Sequence, residues 1–343
     1  GTDAPGLFIG ALGNAKLKPE RTAEVELGFD ATLFQSKVNL EFTYYKKTSR
    51  DALLRRTVPP DAGTAVSQLV NAGRTQNEGI EATVNATILD SKSFGWEITA
   101  SASYNKGKIV TLGDLPPNRG TTISDIPGYP INAWFLRPYT YQDKNGDGLI
   151  GYWKPTVPGG ISTPDPRNEI FVGDTSVFVG PSLPPGEFTA YNTFDLFGRK
   201  IRIQALVDAK VGGYQLFGTE RIRCQNRLNC RGDLDPNAPL AEQAAAVALR
   251  QVPGFTQYGY VHNTNFVRLR ELSVSYTFPD RVARAFAANR LSLTASGRNL
   301  AVLSKYPGMD PEGGYFGTSI GVVSDFQSVP PPSYFTFRLN VAF

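Results

Sequence analysis

Asp143–Gly151 reads DKNGDGLIG, which sets Asp143, Asn145 and Asp147 at alternate positions, Gly148 at the sixth and the Leu149 carbonyl at the seventh. That is how a calcium loop begins, because the ion takes oxygen donors at this spacing and the chain needs Gly at the sharp turn. The bidentate acid due at position twelve is missing. Lys154 stands there, and Asp165, Glu169 or Asp174 would have to substitute from a distance. The same letters also spell an Asn-Gly and Asp-Gly turn that binds nothing. Calcium is therefore one of two readings, and no other cofactor is expected.

Cys224 and Cys230 are the only cysteines and lie in a polar stretch. They predict a disulfide formed in an oxidising compartment. The alternative is a metal pair, but His262, the single histidine, is remote in sequence. His262 sits in TQYGYVHNTNF, which reads as a surface loop, and no Gly-x-Ser-x-Gly context accompanies it. No catalytic constellation is visible, so an enzyme is not expected. The net charge of +4 is scattered and does not cluster as a nucleic-acid partner would need.

The elements that carry these residues show a simpler pattern. Eight segments alternate apolar and polar at every residue, which on a strand separates two faces. Val25, Leu27, Phe29, Ala31 and Leu33 share one face, as do Phe335, Phe337, Leu339, Val341 and Phe343. Segments from Val38, Ile80, Trp96, Ile201 and Leu291 keep the same habit. Phe266–Phe278 changes phase near Arg270–Glu271, where a β-bulge would restore one face. A soluble β-sandwich also alternates. Charged wet faces, aromatics towards strand ends and segments of ten residues or more favour an all-β, antiparallel transmembrane barrel. No apolar run approaches the roughly twenty residues of a spanning helix.

In that barrel Glu24, Glu26, Glu81, Arg202 and Arg338 have the phase of the lumen. They are candidates to meet cargo, or are simply hydrated wall charges. Tight connections are expected at Gln35–Ser36, Asp90–Ser93 and Phe197–Arg199. Long ones, rich in Gly and Pro, run over Arg50–Gln76, Ile109–Pro185, Gly212–Asn265 and Ala301–Ser333. Short turns on one side and long loops on the other predict periplasmic turns and extracellular loops on about ten strands. A helix is expected at Leu240–Gln251, between Pro239 and Pro253. Removing Arg231–Val252 should touch no strand. Trp134, Tyr139, Tyr141, Trp153, Tyr258, Tyr260, Tyr315 and Phe316 decorate the long loops and suit sugar rings, peptides or a lid.

Five motifs in order carry a resemblance: LKPERTAEVELGFDATLF (Leu17–Phe34), NAGRTQNEGIEATV (Asn71–Val84), FVRLRELSVSYTFP (Phe266–Pro279), LSLTASGRNL (Leu291–Leu300) and YPGMDPE (Tyr306–Glu312). Together they resemble the SusC/RagA-like TonB-dependent outer-membrane receptors. The resemblance implies that residues 1–343 are the C-terminal part of a 22-stranded barrel in the cell outer membrane. It implies a plug domain and TonB box, expected before Gly1 and absent from this chain. It implies active import of bulky nutrients, oligosaccharides or peptides, with a SusD-like lipoprotein lid, the TonB complex and outer-membrane lipid as partners. It also makes Phe343 part of the barrel-insertion signal. Gly73 and Gly79 are expected at a strand end, at positive φ or a bulge. The alternatives are a siderophore or vitamin receptor of the wider TonB-dependent class without a lid, and a passive pore or surface structural barrel.

Overall fold

Alternation becomes a wall because each strand can hide one face from water only if its neighbours hide the same one. The chain's structure, a computed structural model, describes residues 13–57, 67–119, 123–153, 165–250, 252, 255–314 and 324–343. Nine strands form one antiparallel sheet in chain order. They are β1 (Arg21–Leu33), β2 (Val38–Thr57), β3 (Ser67–Asp90), β4 (Phe94–Thr111), β5 (Gly186–Leu196), β6 (Ile201–Val211), β7 (Phe266–Thr277), β8 (Arg290–Ser304) and β9 (Tyr334–Ala342). The register sets like against like: Leu27, Tyr44, Ile80 and Tyr104 lie abreast, and so do Phe29, Phe42, Ala82, Ala102 and Phe188. The Phe29 and Phe42 rings meet at 5.6 Å, and Trp96 stacks on Phe194 at 5.8 Å. This apolar face has no protein partner: Leu27 is 66% exposed and Phe337 is 78%. Its burial must come from lipid.

The expected bulge is present. Arg270 stands unpaired where the β6–β7 and β7–β8 registers both shift, so Val267 and Leu269 before it and Leu272, Val274 and Tyr276 after it keep one face. Three expectations are corrected. Among the described residues the wall has nine strands, in keeping with about ten, but β5 was not among the eight alternating segments. Its apolar series is broken by Asn192, which faces outwards and accepts the Trp96 indole N–H at 3.2 Å. Next, Arg50–Gln76 is not simply a loop: β2 and β3 stay paired as far as Thr57 and Ser67. Last, Gly73 and Gly79 lie inside β3. Gly73 sits at a register shift opposite Ala52, but Gly79 is regular strand. A side chain at Gly79 would collide with the Tyr45 ring that crosses it.

The tight connections fall where expected. Phe34, Gln35 and Ser36 take left-handed conformations in one turn, and Phe197, Gly198 and Arg199 do so in another. All are at one end of the wall. The β7–β8 connection at that end is not a turn but a short helix, Asp280–Ala285.

At the other end the long connections fold into a packed cap. Ala133–Leu136 is buried throughout and is an inner strand of a four-stranded sheet with Val177–Gly180, Ile123–Asp125 and Asn118–Arg119. The helix Leu240–Arg250 confirms the expected one, with the Pro239 carbonyl accepting from Glu242 N and Gln243 N. From Gln243 to Leu249 it is buried all round, while Ala241 and Glu242 in its first turn are exposed, and it joins two cores. Ala245, Ala246 and Leu249 meet Trp134, Leu136, Cys224, Cys230 and Tyr260. Ala244, Val247 and Ala248 meet Ile150 and Ile170. Glycines let other segments approach it closely: a side chain at Gly232 would strike the Glu242 carbonyl, and one at Gly259 would strike the Ala245 methyl. Arg231–Val252 is thus part of a core, and deleting it would dismantle the cap rather than trim a loop.

Candidate functional site

The bulge at Arg270 decides what faces the lumen between wall and cap. It sends Arg268, Arg270 and Glu271 inwards. Arg268 Nη2 donates to both Asp310 oxygens at 2.7 Å, and the two residues are 3% and 4% exposed. Its Nε lies 3.3 Å from Glu312, too poorly aligned for a hydrogen bond. Arg270 grips Asp208 on β6 with two bonds of 2.6 and 2.7 Å and donates to Glu312 at 2.5 Å. Lys210 reaches Glu187 at 3.3 Å and Glu312 at 3.8 Å. The segment Tyr306–Glu312 is thereby held on the inner wall. In turn Tyr306 donates to Asp325 at 2.7 Å, and Asp325 accepts the N–H of Gly218 at 2.7 Å. Burial and the Asp325 charge push the Tyr306 phenol up. One chain of polar contacts therefore joins wall to cap.

Two clefts, of about 430 and 500 Å³, open in the cap and share Phe217, Glu220 and Pro307. The first is lined by Tyr139, Tyr260 and His262. Burial pushes the Tyr139 phenol up to about 12. The Tyr260 hydroxyl is buried with no hydrogen-bond partner among the described residues. His262 was expected on the surface. Instead it is half-buried between the Phe217 and Tyr306 rings, and desolvation lowers its pKa against the opposing pull of Asp325. Such clefts offer ring faces with a few polar groups, which is how sugar rings and peptide side chains are held.

The five lumen candidates face inwards but do not form one site. Glu24 is 3.8 Å from Lys47, and Glu26 lies opposite Tyr45. Glu81 lies between Thr43 and Ser103. Arg202 is clamped by Asp195 with two bonds of 2.8 Å, and Arg338 lies opposite Thr294 at the far edge of the sheet. The network around Arg268 was missed. Its sequence signals, the arginines of FVRLREL and the acids of MDPE, lie 42 residues apart between Arg268 and Asp310.

The Asp143–Leu149 segment is a self-closed turn. Asp143 accepts from Gly146 N and Gly148 N, Asn145 from Asp147 N, and Asp147 from Leu149 N. Glu169 is buried beside it and accepts from Lys144 N, Asn145 N and Gly151 N. A calcium ion taking Glu169 as its bidentate acid would compete with those three donors. Asp174 is exposed, Asp165 is taken by Arg167 at 2.8 Å, and Lys154, Tyr315 and Phe316 lie outside the described residues. Cys224 and Cys230 form a disulfide. Phe343 follows β9 and is 83% exposed.

The family model described as "TonB dependent receptor-like, beta-barrel" matches residues 1–226. TonB-dependent receptor P3 of Formosa agariphila is 28% identical over 98% of this chain and 36% of its own length. TonB-dependent receptor SusC of Bacteroides thetaiotaomicron is 22% identical over 96% of this chain and 32% of its own. The chain thus spans about a third of these relatives. Among solved structures, the RagAB peptide transporter superposes with a TM-score of 0.73 at 20% identity, over 99% of this chain and 37% of that one. A second RagAB structure, of the peptide importer in its closed-closed state, gives 0.73 at 22%. At such identity the likeness is one of fold.

Proposed function

Since this chain belongs to the TonB-dependent receptor-like β-barrel family of the outer membrane, we propose that it supplies part of the wall and the outer cap of an active importer for bulky nutrients. The cargo class is oligosaccharide or peptide, taken from outside through the cap and passed along the charged inner face. The observation that carries this reading is the pairing of a lipid-facing wall with a packed, cleft-bearing cap at one end only. A passive pore does not need a cap core, whereas a receptor needs a shaped surface that holds cargo or a delivering partner. Both β1 and β9 have one edge unpaired among the described residues, and further strands with a central plug would complete the lumen. Energy would come through TonB, and a SusD-like lipoprotein would close over the cap.

The test is uptake by cells carrying the full-length receptor, with labelled oligopeptides and oligosaccharides as cargo. Uptake should stop when the proton-motive force is collapsed and again when the neighbouring lipoprotein is removed. Uptake indifferent to the proton-motive force would establish a passive pore and overturn the reading. Energised uptake indifferent to the lipoprotein would assign the chain to receptors that work without a lid.

A further inference from the structure

The β4–β5 ladder stops at Tyr104 and Gly186, although β4 runs on to Thr111. Prolines end it. The Asn105 N–H still donates to the Pro185 carbonyl at 2.8 Å, but Pro185 has no N–H to return to the Asn105 carbonyl. Pro185 and Pro184 pack against Gly212 and Gly213, which draws Leu183 away from the place opposite Gly107. Farther along, β4 finds a new partner. The Ile109 N–H donates to the Tyr129 carbonyl, and the Ile109 carbonyl accepts from the Gly128 N–H, both at 2.8 Å. Gly107 lies between these two contacts. Alternate residues of a strand turn their amides to the same side, so the Gly107 N–H and C=O point into the gap, as does the Asn105 carbonyl. Among the described residues none of these three groups has a hydrogen-bond partner. The sheet lacks one rung.

The gap opens on a cleft of about 520 Å³. With a neighbouring strand missing, both faces of β4 border it: Asn105 from the inner face, Lys106 and Lys108 from the outer one. Asn77 joins from β3 and lays its amide over the Gly107 Cα, where a side chain would strike its oxygen. Tyr129, Phe178 and Leu183 line the cleft as well. Tyr129 and Phe178 meet at 5.0 Å and both rest on the buried Phe135 ring, so the cap core holds them in place. The charged side chains of the cleft are Lys106 and Lys108, and neither has a partner among the described residues.

An open strand edge offers a donor and an acceptor at the spacing of another main chain. A sugar ring has hydroxyls but no amide pair at that spacing. A residue set opposite Gly107 projects inwards, as a side chain at Gly107 would, so its neighbours in an extended chain project outwards towards the lysines. We propose that this gap binds an extended, acidic stretch of peptide cargo. One residue completes the rung at Gly107, and an adjacent carboxylate meets Lys106 or Lys108. The proposal rests on the reading of the chain as part of an importer and narrows its cargo to peptide.

The experiment uses the full-length receptor purified from outer membranes. Binding of a fluorescent pentapeptide of alternating alanine and glutamate is read by anisotropy. Wild type should bind it, and should bind the same peptide about tenfold more weakly when every amide is N-methylated, because the rung is then lost. Gly107→Pro removes the matching donor from the protein without breaking a bond to β3, and should also cost about tenfold. Gly107→Ala crowds Asn77 in the same way but keeps the N–H, so it should cost less. K106Q/K108Q should weaken the glutamate peptide by about threefold per lysine and leave an alanine–serine peptide unchanged. Folding of each variant is read from its heat-modifiable migration on gels. If Gly107→Pro does not fold, the methylated peptide makes the same test on wild type. Three results overturn the proposal: equal affinity for the methylated peptide, equal losses in Gly107→Ala and Gly107→Pro, or displacement of the peptide by an equal concentration of a glucose oligomer. Uptake by cells separates the two failures. Binding indifferent to Gly107→Pro, with uptake still dependent on the proton-motive force, sinks this site alone. Uptake that ignores the proton-motive force sinks the importer beneath it.

Discussion

Wall and cap solve the burial problem in opposite ways. The wall leaves Phe29, Phe337 and Leu339 more than half exposed and relies on surrounding lipid for its apolar contacts. The cap hides Trp134, Leu136, Ile170 and Leu249 almost completely within its own fold. The wall is thus stable only where a second solvent is present, and the cap is stable because it carries a core. The lesson is that connection length alone says little about order. A connection between strands that buries this much is a small domain, not a tether.

The contrast breaks most sharply in the cap core. Trp134 is fully buried and donates its indole N–H to the Tyr214 carbonyl at 2.8 Å. Trp134→Ala should cost the cap about 3–5 kcal/mol, the range for a large core aromatic. Limited proteolysis should then cut the cap while the wall still inserts and migrates as a folded barrel. Loss of insertion in the same variant would show that the regions are not separate. The Arg268–Asp310 pair tests their connection. Asp310→Ala leaves a buried guanidinium without its main partner, which costs about 3–5 kcal/mol in comparable cases. Hydrogen exchange should rise in Tyr306–Glu312 and at Gly218 together. Exchange confined to the first segment would mean the polar chain does not couple them.

Smaller effects sharpen the picture of the wall. Phe29→Arg places a charge in the apolar band and should reduce membrane stability by about 2–4 kcal/mol in urea titration. Glu26→Arg, one face over, should change little. Equal costs would place both residues in the same medium. In the cap, burial depresses the His262 pKa below its ordinary value of 6.5, although Asp325 pulls the other way. The unfolded cap therefore binds a proton first as pH falls. Cap stability should be fully present above the ordinary histidine value and decline as pH drops through it towards the depressed one. His262→Gln should flatten that decline, and an unchanged pH profile would discharge His262 of the effect. Smallest of all is calcium. The Asp143 turn closes on its own hydrogen bonds, so millimolar calcium should leave the cap's thermal unfolding unmoved. A calcium-dependent rise that Asp143→Ala abolishes would restore the ion.

Much of the wall was legible in the letters because a period of two and a lipid face leave a direct imprint, as at Val25–Leu33 and Phe335–Phe343. The bulge at Arg270 was legible for the same reason, since a slip in phase shows as a slip in pattern. Strand β5 was not, because Asn192 spends an outward position on the Trp96 indole and interrupts the series. The cap helix was readable from its prolines, but its depth of burial was not. Ala244–Ala248 are small, and only Gly232 and Gly259 from distant segments show how closely the chain approaches. The wall–cap network was hidden for another reason. Arg268 and Asp310 have no local pattern to betray them, and their pairing depends on a fold-back that no spacing encodes.

The order of the strands has a consequence in time. The sheet runs β1 to β9 without a crossover, so each strand can be added to the edge left by the one before it. The cap cannot follow that schedule. Trp134, from the β4–β5 connection, needs Tyr214, Leu249 and Tyr260, which all come from the β6–β7 connection. Two further strands must be laid down before the first half of the cap finds its other half. Until then a stretch containing AWFL waits with its side chains uncovered, outside the hydrocarbon that shelters the wall. The molecule's most vulnerable interval is therefore set by β5 and β6, and a chaperone that protects this protein would have its work in that interval.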